Sequence, residues 1–202
     1  MRVAVAGIGT DVGKTVVSAI LAEKLQADYW KPIQSGQLDQ SDTLMVKSLS
    51  RDALVCHPEA YRFEQPVSPH LAARLEQREI LPESIIPPET IRPLIIELAG
   101  GVLSPLNDTL TQLDCYASWN CRWIIVSKHY LGSINHTLMT YECLRQIQVD
   151  IAGIIFNGKV NEASEEFILN YTRLACLGRL SEEPILNFNI IQRYAKQWQF
   201  QL

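Results

Sequence analysis

The sequence predicts an α/β fold: a doubly wound, mostly parallel sheet with helices on both faces. Three observations carry this. Short apolar runs such as Val3–Ala6, Trp123–Val126 and Ile151–Phe156 have no polar face, the pattern of strands buried on both sides. They alternate with segments whose apolar residues recur at helical spacing. The first run leads into a glycine-rich turn, Gly7-Ile8-Gly9-Thr10-Asp11-Val12-Gly13-Lys14-Thr15, and then into the helical pattern Val16 to Leu25.

Each element follows in order. After the first helix, Asp28 to Ile33 reads as a second strand ending at Pro32. Ser41-Asp42 starts a helix through Leu49, and Asp52 to Gln65 reads as strand and loop. Ser68-Pro69-His70 begins a helix to about Arg78, with Pro69 suited to the first helical position. Prolines from Pro82 to Pro93 mark connections. Leu94 to Glu97 is a buried strand closed by a carboxylate, followed by strands at Trp123–Val126 and Ile151–Asn157 and a short one at Cys176–Leu180. A helix starting near Gly132 sets Ile134, Leu138, Tyr141 and Leu144 on one face. Two more run from about Glu162 to Ala175 and from Asn189 to Gln199.

The glycine turn has the residue types of a phosphate-binding loop in its required strand-to-helix context. Glycines let backbone N–H groups converge on an anion, and the helix N-terminus adds unpaired donors and partial positive charge. Lys14 is placed to reach the outer phosphates and Thr15 to ligate Mg²⁺. Gly9, Thr10, Asp11, Val12, Gly13, Lys14, Thr15 and Val16 are therefore expected to hold a nucleotide. The usual spacing puts the first glycine at Ile8, whereas here it is Gly7, one residue earlier.

At 202 residues with 47% hydrophobic and 20% charged residues, the chain is expected to form one globular domain over its whole length. Net charge is −4 with no basic patch, so nucleic acid is not an expected partner. No apolar run is long enough to span a bilayer. The amino-terminal strand runs straight into the phosphate loop, so it is not read as a cleavable signal. Five scattered cysteines with no CxxC pair fit reduced thiols in a cytoplasmic protein.

Strand carboxyl ends carry ligand sites in such sheets, and Lys14, Lys31, Glu97 and Asn157 all lie at or after strand ends. A carboxylate in an apolar strand is costly to bury without a cation. Thr15, Asp42 and Glu97 form a plausible oxygen set for Mg²⁺. Asp42 has a second reading as a helix N-cap, and Lys31 as a solvated strand end.

With these residues in place, the chain resembles the dethiobiotin synthetase family from Val3 to about Asn157. The resemblance rests on ordered motifs: the phosphate loop, Lys31-Pro32-x-x-Ser35-Gly36, Ser41-Asp42, Pro66-x-Ser68-Pro69-His70, Glu97-x-Ala99-Gly100-Gly101, Pro105-Leu106-x-Asp108-Thr109, Leu131-Gly132-x-Ile134-Asn135-His136 and Ala152-Gly153-x-x-x-Asn157. Leu98 stands where the family usually has glycine. Ser181 stands where it has a proline near the adenine.

The resemblance implies a homodimer of P-loop NTPase domains that uses ATP and Mg²⁺. The implied reaction closes a cyclic urea on 7,8-diaminopelargonic acid with CO₂, through a carbamate and a carbamic–phosphoric anhydride, giving dethiobiotin, ADP and phosphate in biotin biosynthesis. Lys31 and Lys14 would stabilise the transferring phosphoryl group, with hydroxyls from Thr10 and Ser35. Asn157 would read the adenine edge. Asp11 has two even readings, near the amines or as a shaper of the loop. Gly132, Ser133, Ile134 and Asn135 would take the substrate carboxylate at a helix N-terminus, in the partner subunit's half of the site. Their bland reading is an ordinary helix start in an interface.

The nearest rival is a partner-regulated ATPase switch of the chromosome-partitioning type. Such proteins carry an extra lysine early in the loop, where this chain has Gly9, and this chain lacks a basic amphipathic tail. Asn157-Gly158-Lys159-Val160 superficially matches a guanine reader, but its order is wrong and its aspartate missing. A cobyrinate-type amidase would need a glutaminase domain for which this length leaves no room.

Overall fold

A computed structural model describes residues 1–202. Its centre is a seven-stranded sheet, every neighbouring pair parallel: β1 (Arg2–Gly7), β2 (Asp28–Trp30), β4 (Cys56–His57), β6 (Leu94–Gly101), β7 (Arg122–Lys128), β8 (Asp150–Asn157) and β9 (Cys176–Leu180). Their order is β4-β2-β6-β1-β7-β8-β9. The chain leaves β1 in one direction and, after β6, crosses to the other side. The reversal therefore lies beside β1, where such sheets open a crevice at their carboxyl ends.

Helix α1 (Lys14–Leu25) buries Val16, Val17, Ala19, Ile20, Leu21 and Ala22. It is apolar nearly all round because it lies between the sheet and two other helices, α2 (Asp42–Leu49) and α7 (Phe188–Gln197). Just beyond α7, Trp198 packs so closely on Gly178 of β9 that a Cβ there would lie 2.6 Å from the indole ring. All five cysteines are unbridged. No helix is long and apolar enough to cross a membrane.

Several boundaries differ from the sequence expectation. The strand from Asp28 to Ile33 divides: Pro32 has no N–H to continue a ladder, so the main sheet is left after Trp30. β3 (Ile33–Ser35) instead pairs with β5 (Tyr61–Phe63) in a separate two-stranded parallel sheet. Strand β6 does not end at Glu97 but continues to Gly101. Its extension is held by Gln112 of the short helix α4 (Gln112–Tyr116), whose side chain accepts from Ala99 N and donates to Ala99 O. Helix α3 spans only Pro69–Leu75, with Pro69 at its start. Helix α6 spans Glu162–Thr172.

Helix α5 (Ser133–Gln146) buries a side rich in hydroxyls. Leu144 is fully buried and Ile134 and Tyr141 pack half-buried against the core, while the other buried positions are Ser133, Thr137 and Thr140. The two threonine hydroxyls can be buried because each has a partner. Thr137 donates to Ser133 O at 2.7 Å and shares a hydrogen bond with Ser127 at 2.8 Å, and Thr140 donates to His136 O.

Candidate active site

The loop after β1 shows why its first glycine sits one residue early. A Cβ on Gly7 would lie 2.7 to 2.9 Å from Val12, Gly9 O and Lys14, so a side chain there would collapse into the loop, whereas Ile8 is buried beside it. Gly13 has φ 93, in the left-handed region, and caps α1 without a side chain. Asp11, at φ 55, is also left-handed and exposed, and Lys128 donates to its carbonyl. That geometry favours Asp11 as a shaper of the loop. Lys14 reaches back to donate to Gly9 O at 2.7 Å. Burial lowers its pKa to about 8 against the pull of Glu97.

Beneath the loop, three oxygen donors converge. Thr15 Oγ1 lies 2.5 Å from Asp42 Oδ1 and 2.9 Å from Glu97 Oε1. A hydroxyl has one proton, so it can donate to only one carboxylate at a time. A cluster of hard oxygens short of protons suits a small divalent cation, and Mg²⁺ fits this donor set. Lys31 Nζ hydrogen-bonds Asp42 Oδ2 and stands 3.9 Å from Glu97 Oε1. Lys31 and Glu97 are both buried. Burial pushes the Asp42 carboxyl up, but the Lys31 ammonium and the hydrogen bonds from Lys31 and Thr15 outweigh it and hold it below its usual range. At Glu97 burial wins, and the carboxyl is raised despite Lys31. Asp42 is not the N-cap of α2; Ser41 is, accepting from Leu44 N.

A cleft of about 430 Å³ opens above these groups, lined by Thr10, Lys31, Ser35, Asp42, Ser68 and Gly100 among others. Ser35 Oγ is buried there with no partner in the protein, so it offers an open donor and acceptor. Asn157 lies on the other side of the loop. Its Nδ2 donates to Val12 O at 2.8 Å and fills the space a Cβ on Gly13 would need. Gly132, Ser133, Ile134 and Asn135 do not line the cleft. They open α5 beyond β7, with Gly132 at φ 97, and no side chain caps that helix. Ser133 itself is buried and Asn135 exposed.

Sequence reasoning missed three supporting residues. Gln34 donates to Gly36 O and accepts from Asp42 N, tying the Lys31 segment to α2. Gln112 holds the Ala99–Gly101 strand, and Tyr29 donates to Glu97 Oε2. None belongs to a motif. The two departures from the family pattern both have local accommodation: Leu98 is fully buried in the core, and Ser181 N donates to the Tyr194 hydroxyl.

The fold is shared with nucleotide-binding ATPases. The cell division ATPase MinD of Pyrococcus furiosus superposes with a TM-score of 0.60 at 12% identity, covering 97% of both chains. The septum site-determining protein MinD of Pyrococcus horikoshii, complexed with Mg-ADP, gives 0.59 at 16% identity over 98% of this chain and 89% of its own. At such identities the likeness is one of fold alone. A family model described as an AAA domain matches residues 1–189. Sequence relatives are far closer. The ATP-dependent dethiobiotin synthetase BioD of Chlamydia felis is 47% identical over 198 residues, 98% of this chain and 94% of its own. That of Cytophaga hutchinsonii is 46% identical over 95% of this chain and 93% of its own. At this identity over nearly the full length of both partners, the chain belongs to the family of ATP-dependent dethiobiotin synthetases.

Proposed function

We propose that this chain, acting as a single domain, is an ATP-dependent cyclo-ligase that closes the urea ring of dethiobiotin on 7,8-diaminopelargonic acid and CO₂. The observation that carries the reading is one cleft in which a buried lysine, an unpartnered serine hydroxyl and a phosphate loop meet. Such chemistry needs positioning and charge stabilisation rather than a protein nucleophile. The first turn of α1 and Lys14 hold the phosphates of ATP. Lys31 holds the carbamate formed from CO₂ and one amine, and faces the γ-phosphoryl group as a carbamate oxygen bonds to phosphorus and ADP departs. Ser35 and Thr10 supply hydroxyls to the carbamate and phosphoryl oxygens. The second amine then attacks the carbonyl carbon, phosphate leaves, and the ring closes.

Thr15, Asp42 and Glu97 would hold Mg²⁺, which neutralises charge on the outer phosphates when bound. Glu97→Gln removes one charge and keeps the volume. Activity is expected to fall about 10²-fold, with a raised Mg²⁺ requirement and an unchanged circular dichroism spectrum, on the scale of losing one electrostatic stabiliser. If Glu97 were only structural, melting temperature would drop and the Mg²⁺ dependence would stay as in wild type.

Asn157 is proposed to read the adenine edge, since its amide offers a donor and an acceptor. Because its Nδ2 also holds Val12 O, Asn157→Ala should weaken every triphosphate somewhat and ATP most. Comparing kcat/KM for the four triphosphates checks this; equal losses for all would leave Asn157 only its loop-bracing role.

The working assembly is proposed to be a cytoplasmic homodimer, with the α5 N-terminus of one subunit meeting the substrate carboxylate in the partner's cleft. Two facts support it: Gly132–Asn135 stand outside their own chain's cleft, and large apolar side chains are exposed just before α5 (Leu131), on α5 (Met139) and on α6 (Phe167 and Tyr171). The deciding assay for the whole function is phosphate release by purified protein. It should require both the diamine and bicarbonate; release indifferent to both would point to a switch ATPase.

A further inference from the structure

Glu97 is the most deeply buried charge-bearing group of the site, 1% exposed, and its two oxygens have different partners. Oε1 is the oxygen near Thr15 and Lys31. Oε2 points back into the sheet, where the Tyr29 hydroxyl donates to it at 2.9 Å. Tyr29 is fully buried on β2, paired in register with Ile95 of β6, two residues before Glu97. Its hydroxyl has no other hydrogen-bond partner in the protein. Each group satisfies the other: a buried carboxylate oxygen and a buried phenol both need partners.

We infer that Tyr29 is a positioning residue for Mg²⁺: its hydroxyl holds Oε2 in the core and so aims Oε1 at the oxygen cluster formed with Thr15 and Asp42. The inference rests on the reading of Glu97 as a metal ligand. A carboxylate held at one oxygen cannot rotate to become bidentate or turn away when no metal is bound. Partners of this kind orient ligands, and their loss costs metal affinity although they never touch the ion. Nothing in the Lys31-Pro32 motif signals this residue; its role follows from the β2–β6 register.

Tyr29→Phe removes one oxygen and preserves the ring. The readout is the Mn²⁺ affinity of the ADP complex, followed by electron paramagnetic resonance, beside ADP affinity in EDTA and melting temperature. Tyr29→Phe is expected to weaken Mn²⁺ about ten-fold with ADP affinity in EDTA unchanged, the size typical of losing an orienting partner. Glu97→Gln, run in parallel, is expected to weaken Mn²⁺ at least as much. Unchanged Mn²⁺ affinity in Tyr29→Phe, with Glu97→Gln weakened, overturns the role of Tyr29 and leaves the metal set standing. Unchanged affinity in both overturns the metal assignment of Glu97 as well. A measurement on the unaltered protein guards against a variant that does not fold. The ¹³Cζ resonance of Tyr29 should shift when Mg²⁺ joins the ADP complex; a resonance that stays in place also overturns the inference.

Discussion

Lys31→Gln is expected to lower kcat by about 10²-fold or more, with ADP affinity within a few-fold of wild type, because the lost charge is aimed at the reacting centre rather than at the bound nucleotide. The structure adds a second effect to separate. Lys31 lies between Asp42 and Glu97, and its removal leaves two carboxylates and a hydroxyl crowded together without their ammonium. Breaking a buried pair in this way is destabilising. Melting temperature should therefore fall, and rates must be taken well below it. Lys31→Arg resolves the two contributions. It keeps the charge but carries it on a planar fork that cannot occupy the same point. Melting temperature should recover while kcat stays low. A full recovery of kcat with Arg, or an unchanged kcat with Gln, would reduce Lys31 to a counter-ion for Asp42.

Two inactive variants should restore activity to each other if the site is shared. Lys14→Ala disables phosphate handling in its own cleft. The second lesion belongs at the start of α5. Ser133 is buried, so a carboxylate there would disturb packing; exposed Asn135, on the first turn, is the cleaner position. Asn135→Asp suits a helix N-terminus and should leave α5 intact. It should also repel the substrate carboxylate and raise the diamine KM strongly. In a mixed dimer one cleft carries both lesions and the other neither. Random reassociation makes about half of the dimers mixed, so about a quarter of wild-type activity should return at sub-saturating diamine, by two-fold symmetry. Native mass spectrometry confirms exchange. Absence of recovery despite exchange would place both groups in one subunit's site.

The sheet, its helices and the phosphate loop were legible because each leaves a local mark: apolar runs, helical periodicity, and glycines where backbone must approach an anion. Lys14, Thr15, Asp42, Glu97 and Lys31 were legible as a group because parallel topology sends strand ends to one edge. What stayed hidden depends on contacts across the chain. The break at Pro32 was visible, but not that Ile33–Ser35 would find Tyr61–Phe63 and build a second sheet beside the cleft. The continuation of β6 past Glu97 depends on Gln112, fifteen residues on, acting as a strand partner with its side chain. The buried threonines of α5 stayed hidden because they look polar in a sequence and are satisfied in the fold. Tyr29 left no mark except a hydroxyl in an apolar strand.

The cover over α1 has a consequence for how the chain is made. The helix that carries Lys14 ends at Leu25, and α7, which closes over it, begins at Phe188, so 162 residues lie between them. At typical synthesis rates of roughly 5–20 residues per second, that interval is of the order of ten to thirty seconds. Throughout it the nascent chain carries one of its most apolar helices without its lid, and an adhesive surface is open to other chains.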